Sequence, residues 1–346
     1  MDDVTYMLEQ VKRVLAIDSP TGYTDRAAGY VLQQYQALGY EPQLTRKGGV
    51  LVCVNEGLPG GEAEGAVFLE AHLDTLGGMV AEVTGTGRLS ITPLGGMNPN
   101  NGEAENVRIV TRSGKVYTGT FQLKNASVHV NGDYSTAKRD YSSMEVVIDE
   151  MVSSRQEVLN LGILPGDIVC FEPRTVVTPS GYIKSRFLDD KLSVGILLGY
   201  ARYLKGCDKK PARRIYQHIT VFEEVGHGGA ASIPADVSEV LAVDMGCVGD
   251  GLGCKEHQVS ICAKDSGGPY HYQVVSGLIA AARRAGVDFE VDVYPHYGSD
   301  AEAALRAGCD VRHGLIGAGV YASHGYERSH VKGMQATFEL LKAYLG

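Results

Sequence analysis

The sequence predicts an α/β protein with a mixed, largely parallel sheet flanked by helices and an inserted small all-β domain. Helix-like and strand-like segments alternate in residues 1–76 and again in residues 183–346, as in a sheet covered by helices. Between residues 77 and 182, short strand-like segments separated by Gly, Asn, Thr and Ser replace that alternation. A chain of 346 residues with 44% hydrophobic content can also bury a large core.

The first elements are two helices and two strands. Apolar residues at helical spacing predict a helix over residues 2–16, which the Ser-Pro-Thr-Gly segment at 19–22 ends. A second helix is predicted over residues 24–38, ending at Gly39. Apolar runs at 50–54 and 66–71 are then typical of strands.

The inserted segment reads as a sandwich or barrel. Its one helix-like stretch lies near residues 154–161, and a turn at 162–167 leads into a strand at 168–171.

After residue 183 the α/β alternation resumes, and we predict a mixed sheet with helices on both faces. Helices are predicted at 189–204, 272–285, 300–307 and 331–345, with a short one near Ala230, and strands at 215–222, 240–243, 259–263, 289–293 and 312–316.

Charge and composition exclude several classes of protein. The net charge is −9 without a long basic block, so nucleic acid is not an expected partner. The first residues lack the features of a signal peptide, and no apolar run approaches the roughly 18 residues of a membrane span. Seven widely spaced cysteines without a Cys-x-x-Cys pair favour free thiols over disulfides or a thiolate zinc site. We therefore expect a cytoplasmic protein that does not bind membranes.

The segment at 221–230, Val-Phe-Glu-Glu-Val-Gly-His-Gly-Gly-Ala, is the strongest candidate for a functional site. It follows the predicted strand at 215–222, and its glycines let the backbone turn and approach a ligand closely. Neighbouring side chains of an extended chain point to opposite sides, so Glu223 and Glu224 are expected to have different roles. One carboxylate would bind a metal while the other handles a proton. An isolated Glu-Glu pair is otherwise typical of a solvated strand end.

Further acids and histidines fall at similar places, where strands end and ligands of α/β sheets gather. His72 and Asp74 end one predicted strand with both side chains on one face, and His-x-Asp alone is a common pattern. Asp189 precedes a helix, where an acid also serves as a cap. Asp244 closes an apolar strand, and His324 lies in a loop before the last helix.

Together these residues suit a pair of metal ions. Two histidines, two aspartates and a glutamate match two zinc-like ions about 3.5 to 4 Å apart that share one carboxylate, with Glu223 as general base. A site for magnesium alone would not require two imidazole ligands. Zinc is the expected metal, with cobalt or manganese as alternatives.

The ordered motifs resemble those of metallopeptidase family forty-two, the tetrahedral, glutamyl and deblocking aminopeptidases with two metals. They are Ala-His-Leu-Asp at 71–74, Leu-Asp-Asp-Lys at 188–191, Phe-Glu-Glu-Val-Gly-x-Gly-Gly-Ala at 222–230, Val-Asp at 243–244, Gly-Ser-Asp-Ala at 298–301 and a late histidine. The resemblance covers essentially the whole chain, including the inserted domain.

This resemblance implies roles for particular residues. One metal would be held by His72, Asp189 and Asp244, and the other by Asp189, Glu224 and His324, while Asp74 would orient His72 and Glu223 would be the base. The resemblance also implies a homo-oligomer, usually a dodecamer, in which the inserted domain makes subunit contacts. Loops around Asp265 and Asp300 match family loops at the substrate pocket, so either carboxylate is a candidate for binding a free α-amino group. Helix capping explains Asp300 equally well.

Two departures from the family pattern leave alternatives open. Gly-Tyr-Glu-Arg-Ser-His follows His324 where the family usually has Ser-Pro, so His330 is a rival ligand, and His227-Gly228 stands where Leu-Arg is common. This ending resembles a sub-branch associated with genes for the osmoprotectant N-acetylglutaminylglutamine amide. The expected activity is removal of N-terminal residues from short peptides. An amidase or deacylase acting on a small acylated amino acid or dipeptide amide, and a structural subunit without activity, are the alternatives.

Overall fold

The computed structural model describes residues 1–58 and 64–346, which form two compact units, one of residues 1–74 with 174–346 and one of residues 75–173. The helices of the larger unit are α1 (Asp3–Leu15), α2 (Asp25–Ala37), α4 (Leu188–Gly206), α5 (Tyr272–Ala285), α6 (Asp300–Arg306) and α7 (Val331–Leu345). The smaller unit has one α-helix, α3 (Arg155–Asn160), among its described elements.

The larger unit is built on a twelve-stranded mixed sheet. Its strands are β1 (Gln43–Leu44), β2 (Val50–Asn55), β3 (Ala66–His72), β10 (Val176–Val177), β11 (Tyr182–Ser185), β12 (Ile215–Thr220), β13 (Val237–Val243), β14 (Gly246–Val248), β15 (Val259–Lys264), β16 (Phe289–Val293), β17 (Arg312–Tyr321) and β18 (Glu327–His330). The main path runs β1-β2-β12-β3-β13-β17-β18-β11-β10, and β12, β3, β13 and β17 are mutually parallel. The carboxyl ends of these four strands therefore meet at one edge of the sheet.

The smaller unit is a closed antiparallel barrel. Its strands are β4 (Gly77–Val83), β5 (Leu89–Leu94), β6 (Glu105–Val110), β7 (Val116–Leu123), β8 (Met144–Ile148) and β9 (Ile168–Phe171), in the order β4-β5-β8-β7-β6-β9. Closure leaves no unpaired strand edge. The predicted fold class, a mixed helix-flanked sheet with a separate small β domain, is confirmed.

The boundary of the inserted segment differs from the sequence prediction. The compact unit ends at Pro173 rather than at residue 182, because β10 pairs with β11 and β11 pairs with β18 of the large sheet. Both strands therefore belong to the larger unit.

Two predicted strands end more than one residue away from the end that the structure shows. The strand predicted to reach Phe222 stops at Thr220, since Phe222 has a left-handed φ of 70° and residues 223–225 form a 3₁₀ turn. The strand predicted over 312–316 continues to Tyr321 through two glycines. A Cβ on Gly317 would lie 1.4 Å from the Asp244 carbonyl oxygen, so close backbone approach, and not a loop, explains that glycine.

Helix α4 packs against α1 through two further glycines, which gives a test of the core. A Cβ on Gly195 would lie 2.4 Å from a methyl of Val11, and one on Gly199 would lie 2.2 Å from Met7 Cγ. We expect Gly195→Ala to lower the free energy of unfolding by about 1–3 kcal/mol, because the helices must separate. Gly29→Ala on α2 meets no atom within 4 Å and should instead raise it by about 0.5–1 kcal/mol. Chemical denaturation measures both, and equal effects would contradict the packing argument.

Two further sequence expectations concern the thiols and the membrane. All seven cysteines are free thiols, four of them partly exposed. No helix among the described residues is both long and apolar enough to cross a membrane.

Candidate metal centre

Four strand ends and one helix start deliver acidic and imidazole side chains to the same edge of the sheet. His72 is the last residue of β3, and Asp244 directly follows β13. The turn after β12 carries Glu223 and Glu224, and Asp189 lies in the first turn of α4. The loop after β17 carries His324.

Asp189 lies between the two imidazoles. Its Oδ1 is 2.9 Å from His72 Nε2, and its Oδ2 is 3.5 Å from His324 Nε2. The structure therefore gives the two carboxylate oxygens of one aspartate to two different histidines. This is the arrangement that a carboxylate shared by two metal ions would have.

Glu223 and Glu224 reach different histidines although they are neighbours. Glu223 Oε2 lies 3.7 Å from His72 Nε2, and Glu224 Oε2 lies 3.6 Å from His324 Nε2. The sequence argument assumed an extended chain, whereas a 3₁₀ turn separates the two side chains here. The two carboxylates nevertheless lie next to different histidines, as expected if they have different roles.

Asp74 contacts His72 differently from the sequence expectation. His72 Nδ1 is 2.9 Å from the backbone carbonyl oxygen of Asp74 and 3.9 Å from its carboxylate. The carboxylate instead accepts hydrogen bonds from the Glu223 backbone N–H at 3.1 Å and from the Thr21 hydroxyl at 2.7 Å. Asp74 thus orients His72 through its main chain, since its carboxylate is used to fix the start of the Glu223 turn.

Asp190 is a residue of this cluster to which sequence reasoning gave no role. It is fully buried, its Oδ2 accepts from the His72 backbone N–H at 3.2 Å, and the Asp189–Asp190 peptide bond is cis. Ligand atoms of His72, Asp190 and Asp244 lie within 4.8 Å of one another, as do those of His72, Asp189 and Glu224. The doubled aspartate at 189–190 was the signal that could have pointed to it.

Glu327 was also missed, and it holds two of the predicted ligands in place. Its carboxylate accepts from the backbone N–H groups of Asp189 at 3.0 Å and His324 at 2.9 Å, and it is almost fully buried. Burial raises the pKa of Glu327 to about 8, and the nearby Asp189 adds to the shift. No residue pattern marks Glu327, because both of its partners are main-chain N–H groups and one of them lies 138 residues away.

Burial and mutual repulsion raise the pKa values of the carboxyl groups at the centre. The pKa values of Glu223 and Glu224 lie well above the ordinary value for glutamate, and that of Asp244 rises to about 7. The exception is Asp189. Burial acts against its ionisation, but hydrogen bonds with His324 and His72 hold its pKa below the usual value.

The imidazoles respond to the same excess of negative charge. The hydrogen bond with Asp189 raises the pKa of His324 to about 10. Burial alone would lower the pKa of His72, but the hydrogen bond with Asp189 and the charges of Glu223 and Asp244 raise it well above its usual value. Two imidazoles are too few to balance these carboxylates.

Divalent cations fit this donor set. Within the described residues, Glu224 Oε1 and Asp190 Oδ1 are buried without a hydrogen-bond partner, which is costly unless a cation completes the site. The mixture of imidazole nitrogen and carboxylate oxygen suits zinc and similar ions.

The other sequence candidates lie outside this cluster. His330 Nε2 is 2.9 Å from the Ser180 carbonyl oxygen and its Nδ1 accepts from the Lys332 N–H, so the structure brings His324 and not His330 to the centre. The side chain of His227 is exposed. Asp265 is fully buried, and its carboxylate accepts from the Gly267 N–H and the Tyr270 hydroxyl.

Asp300 lies beside the centre but is engaged within the protein. Its Oδ1 accepts from the Gly229 N–H at 2.6 Å, and its Oδ2 accepts from the Thr220 hydroxyl. Neither interaction is the helix cap that the sequence also allowed, because Asp300 is the first residue of α6 and Ser299 precedes it.

A cleft of about 580 Å³ opens on the cluster. Such a volume holds a small organic ligand or a short peptide. Besides the candidate ligands, its walls include Met245, Cys247, His296, Tyr297, Ser299 and Arg306.

Known proteins share this fold over nearly the whole chain. Over 345 residues the chain is 42% identical to "Putative aminopeptidase YhfE" of Bacillus subtilis (strain 168), covering 100% of this chain and 99% of that one. Aminopeptidase APDkam598 from the archaeon Desulfurococcus kamchatkensis superposes with a TM-score of 0.86 at 22% identity, covering 99% of this chain and 95% of that one. The TET1 peptidase of Pyrococcus horikoshii superposes with a TM-score of 0.85 at 21% identity, covering 98% and 99%.

Fold and sequence together define a class of protein, the aminopeptidases, which are hydrolases that act on peptides. The sequence profile of the M42 glutamyl aminopeptidases matches residues 49–340, and the chain belongs to that family. Membership of this metallopeptidase family implies divalent metal ions, and the His, Asp and Glu cluster described above is the candidate place for them.

Proposed function

We propose that this protein is a metal-dependent aminopeptidase that removes the N-terminal residue of short peptides, using two divalent metal ions, zinc above all. The observation that carries the proposal is the position of Asp189, which presents one carboxylate oxygen to each of two histidines. A cleft large enough for a short peptide opens directly on this pair.

Each metal ion would have its own set of ligands. His72, Asp189 and Asp244 would hold one ion, and Asp189, Glu224 and His324 would hold the other. Asp190 and Glu327 would fix the main chain of His72, Asp189 and His324. When bound, the metal pair supplies a Lewis acid for the scissile carbonyl and lowers the pKa of a water molecule.

Glu223 is the proposed general base. It would take a proton from the attacking water as the new C–O bond forms, and would then deliver that proton to the nitrogen of the leaving amine as the peptide C–N bond breaks. The hydrogen bond from the Glu223 N–H to Asp74 keeps this side chain at the edge of the cleft.

We also propose a homo-oligomer, a dodecamer, in which the barrel of residues 75–173 makes subunit contacts, and a cytoplasmic location. The similar TET1 peptidase of Pyrococcus horikoshii can assemble into a tetrahedron or a large octahedral shell. The seven free thiols are compatible with a reducing compartment. Light scattering coupled to size-exclusion chromatography measures the oligomer size, and a monomeric mass would contradict the assembly.

The function is tested by comparing matched peptides that differ only in the N-terminus. The metal-stripped protein, supplied with Zn²⁺, Co²⁺ or Mn²⁺, is expected to cleave a free-amine peptide and to leave its N-acetylated counterpart intact. Without added metal, cleavage should be absent. Cleavage of only the acetylated or amidated compounds would instead identify an amidase or deacylase, and cleavage of neither would leave a structural subunit.

A further inference from the structure

The loop at residues 222–230 carries both Glu223 and Glu224, and the structure fixes it at both ends. At its start, the Glu223 N–H donates to Asp74 Oδ1 at 3.1 Å. At its end, the Gly229 N–H donates to Asp300 Oδ1 at 2.6 Å, and the Lys47 ammonium donates to the carbonyl oxygens of His227 and Gly228. Residues 227, 228 and 229 are therefore all held by hydrogen bonds to their main-chain atoms.

The two glycines let this main chain lie directly on Asp300. A Cβ on Gly228 would lie 2.2 Å from Asp300 Oδ1, and one on Gly229 would lie 2.2 Å from the Asp300 carbonyl oxygen. Neither position has room for a side chain, so the backbone amide reaches the carboxylate without an intervening group. Any side chain here would push the loop away from α6.

Both groups that hold the loop are themselves fixed. Asp300 is buried, and its second oxygen accepts from the Thr220 hydroxyl at the end of β12. Lys47 projects from the tight turn between β1 and β2, which Thr45 closes. The Thr45 N–H donates to the Gly49 carbonyl oxygen at 2.8 Å, and the Thr45 hydroxyl accepts from the Gly49 N–H at 3.0 Å. The loop is thus held by one ammonium group and one carboxyl group, and both project from ordered parts of the chain.

We propose that Lys47 and Asp300 are positioning residues that together hold the main chain of residues 227–229. This pair, called the clamp below, thereby fixes the positions of Glu223 and Glu224 in the same loop. This inference rests on the proposed function, because it assigns the clamp to the residues that would hold the proton and a metal ion. It also gives Asp300 a role different from binding a substrate amine, since both of its oxygens serve the protein itself.

Lys47 provides the first test. In Lys47→Met the two carbonyl groups lose their common donor, so the loop samples more positions and kcat should fall about 10- to 100-fold, as a small displacement of catalytic groups can produce. KM for a free-amine peptide should change by less than about threefold, because Lys47 is not itself a wall of the cleft. Lys47→Arg, whose guanidinium can also donate to two carbonyls, should restore most of the rate.

Amide hydrogen exchange of residues 222–230, followed by mass spectrometry, reads the clamp without using activity. Exchange should be faster in Lys47→Met than in wild type and slow again in Lys47→Arg. Lys332→Met, an exposed lysine at the start of α7, is the matched control and should alter neither rate nor exchange. If Lys47→Met keeps kcat within twofold and unchanged exchange, the clamp does not exist.

Asp300 provides the second test, which separates positioning from amine binding. In Asp300→Asn the amide oxygen can still accept from Gly229 while the amide nitrogen donates to the Thr220 hydroxyl, so kcat and KM should stay within about fivefold of wild type. Asp300→Ala removes the acceptor and should lower kcat and speed exchange as Lys47→Met does. A tenfold or larger rise in KM for Asp300→Asn, with kcat preserved, would overturn the assignment and identify a charged amine-binding group.

These measurements also separate a failed clamp from a failed function. If the wild-type protein cleaves no free-amine peptide, the aminopeptidase proposal fails, and the hydrogen-exchange comparison still decides whether Lys47 and Asp300 hold the loop.

Discussion

Replacing Glu223 by Gln is expected to lower kcat by roughly 10²- to 10⁴-fold while the purified protein keeps its metal content. The substitution preserves the size of the side chain and its backbone hydrogen bond to Asp74, but an amide cannot take a proton from water. KM should change little, because Glu223 is assigned to the transfer of a proton and not to substrate binding.

The measurement needs three quantities on the same preparation. Steady-state kinetics on a free-amine peptide gives kcat and KM, elemental analysis gives bound metal, and thermal unfolding confirms that the variant is folded. Glu339→Gln is the matched control, since this glutamate lies on α7 and its side chain, 41% exposed, pairs with Lys342 on the same helix. A Glu223→Gln enzyme with full metal content and more than a tenth of the wild-type rate would show that the base is another residue.

The sequence was enough to predict that these acidic and imidazole side chains gather at one edge of the sheet. His72 is the last residue of one strand of the parallel core, and Asp244 and Glu223 come after the ends of two others. The carboxyl ends of such strands meet at one edge of the sheet. Apolar residues at every second position predict the strands, and apolar residues at every third or fourth position predict the helices. The order of these elements then predicts the edge of the sheet at which the polar side chains gather. The prediction ended β17 at residue 316 because the glycines beyond it are typical of a loop. In the structure these glycines lie within the strand, where they allow close approach of neighbouring backbone.

The groups that orient the site were beyond sequence reasoning. Glu327 acts on the backbone N–H groups of Asp189 and His324, and Lys47 acts on carbonyl oxygens 180 and 181 residues away. Such contacts depend on main-chain atoms, which every residue has, so no residue pattern reveals them. For the same reason the sequence assigned Asp74 to the His72 ring through its carboxylate, whereas the backbone carbonyl makes that contact.

Substitution of the adjacent aspartates 189 and 190 is the second change for which we expect a large effect, because both side chains contact His72. Asp189 reaches the side chains of two histidines, whereas Asp190 accepts from the His72 main chain. We expect Asp189→Asn to lower metal affinity by more than about 100-fold and to abolish measurable turnover, since it removes the anionic group that both ions would share.

Asp190→Asn is the informative partner of that variant. Its amide oxygen can still accept from the His72 N–H, so metal affinity should fall by no more than about tenfold, at the low end for residues that orient a ligand. Metal titration and elemental analysis of both variants, alongside thermal unfolding to verify folding, make the comparison. If Asp190→Asn loses the metal and Asp189→Asn retains it, the ions are held by the group of His72, Asp190 and Asp244. Asp189 would then be the carboxylate that orients the histidines, and the roles of the two aspartates would be exchanged.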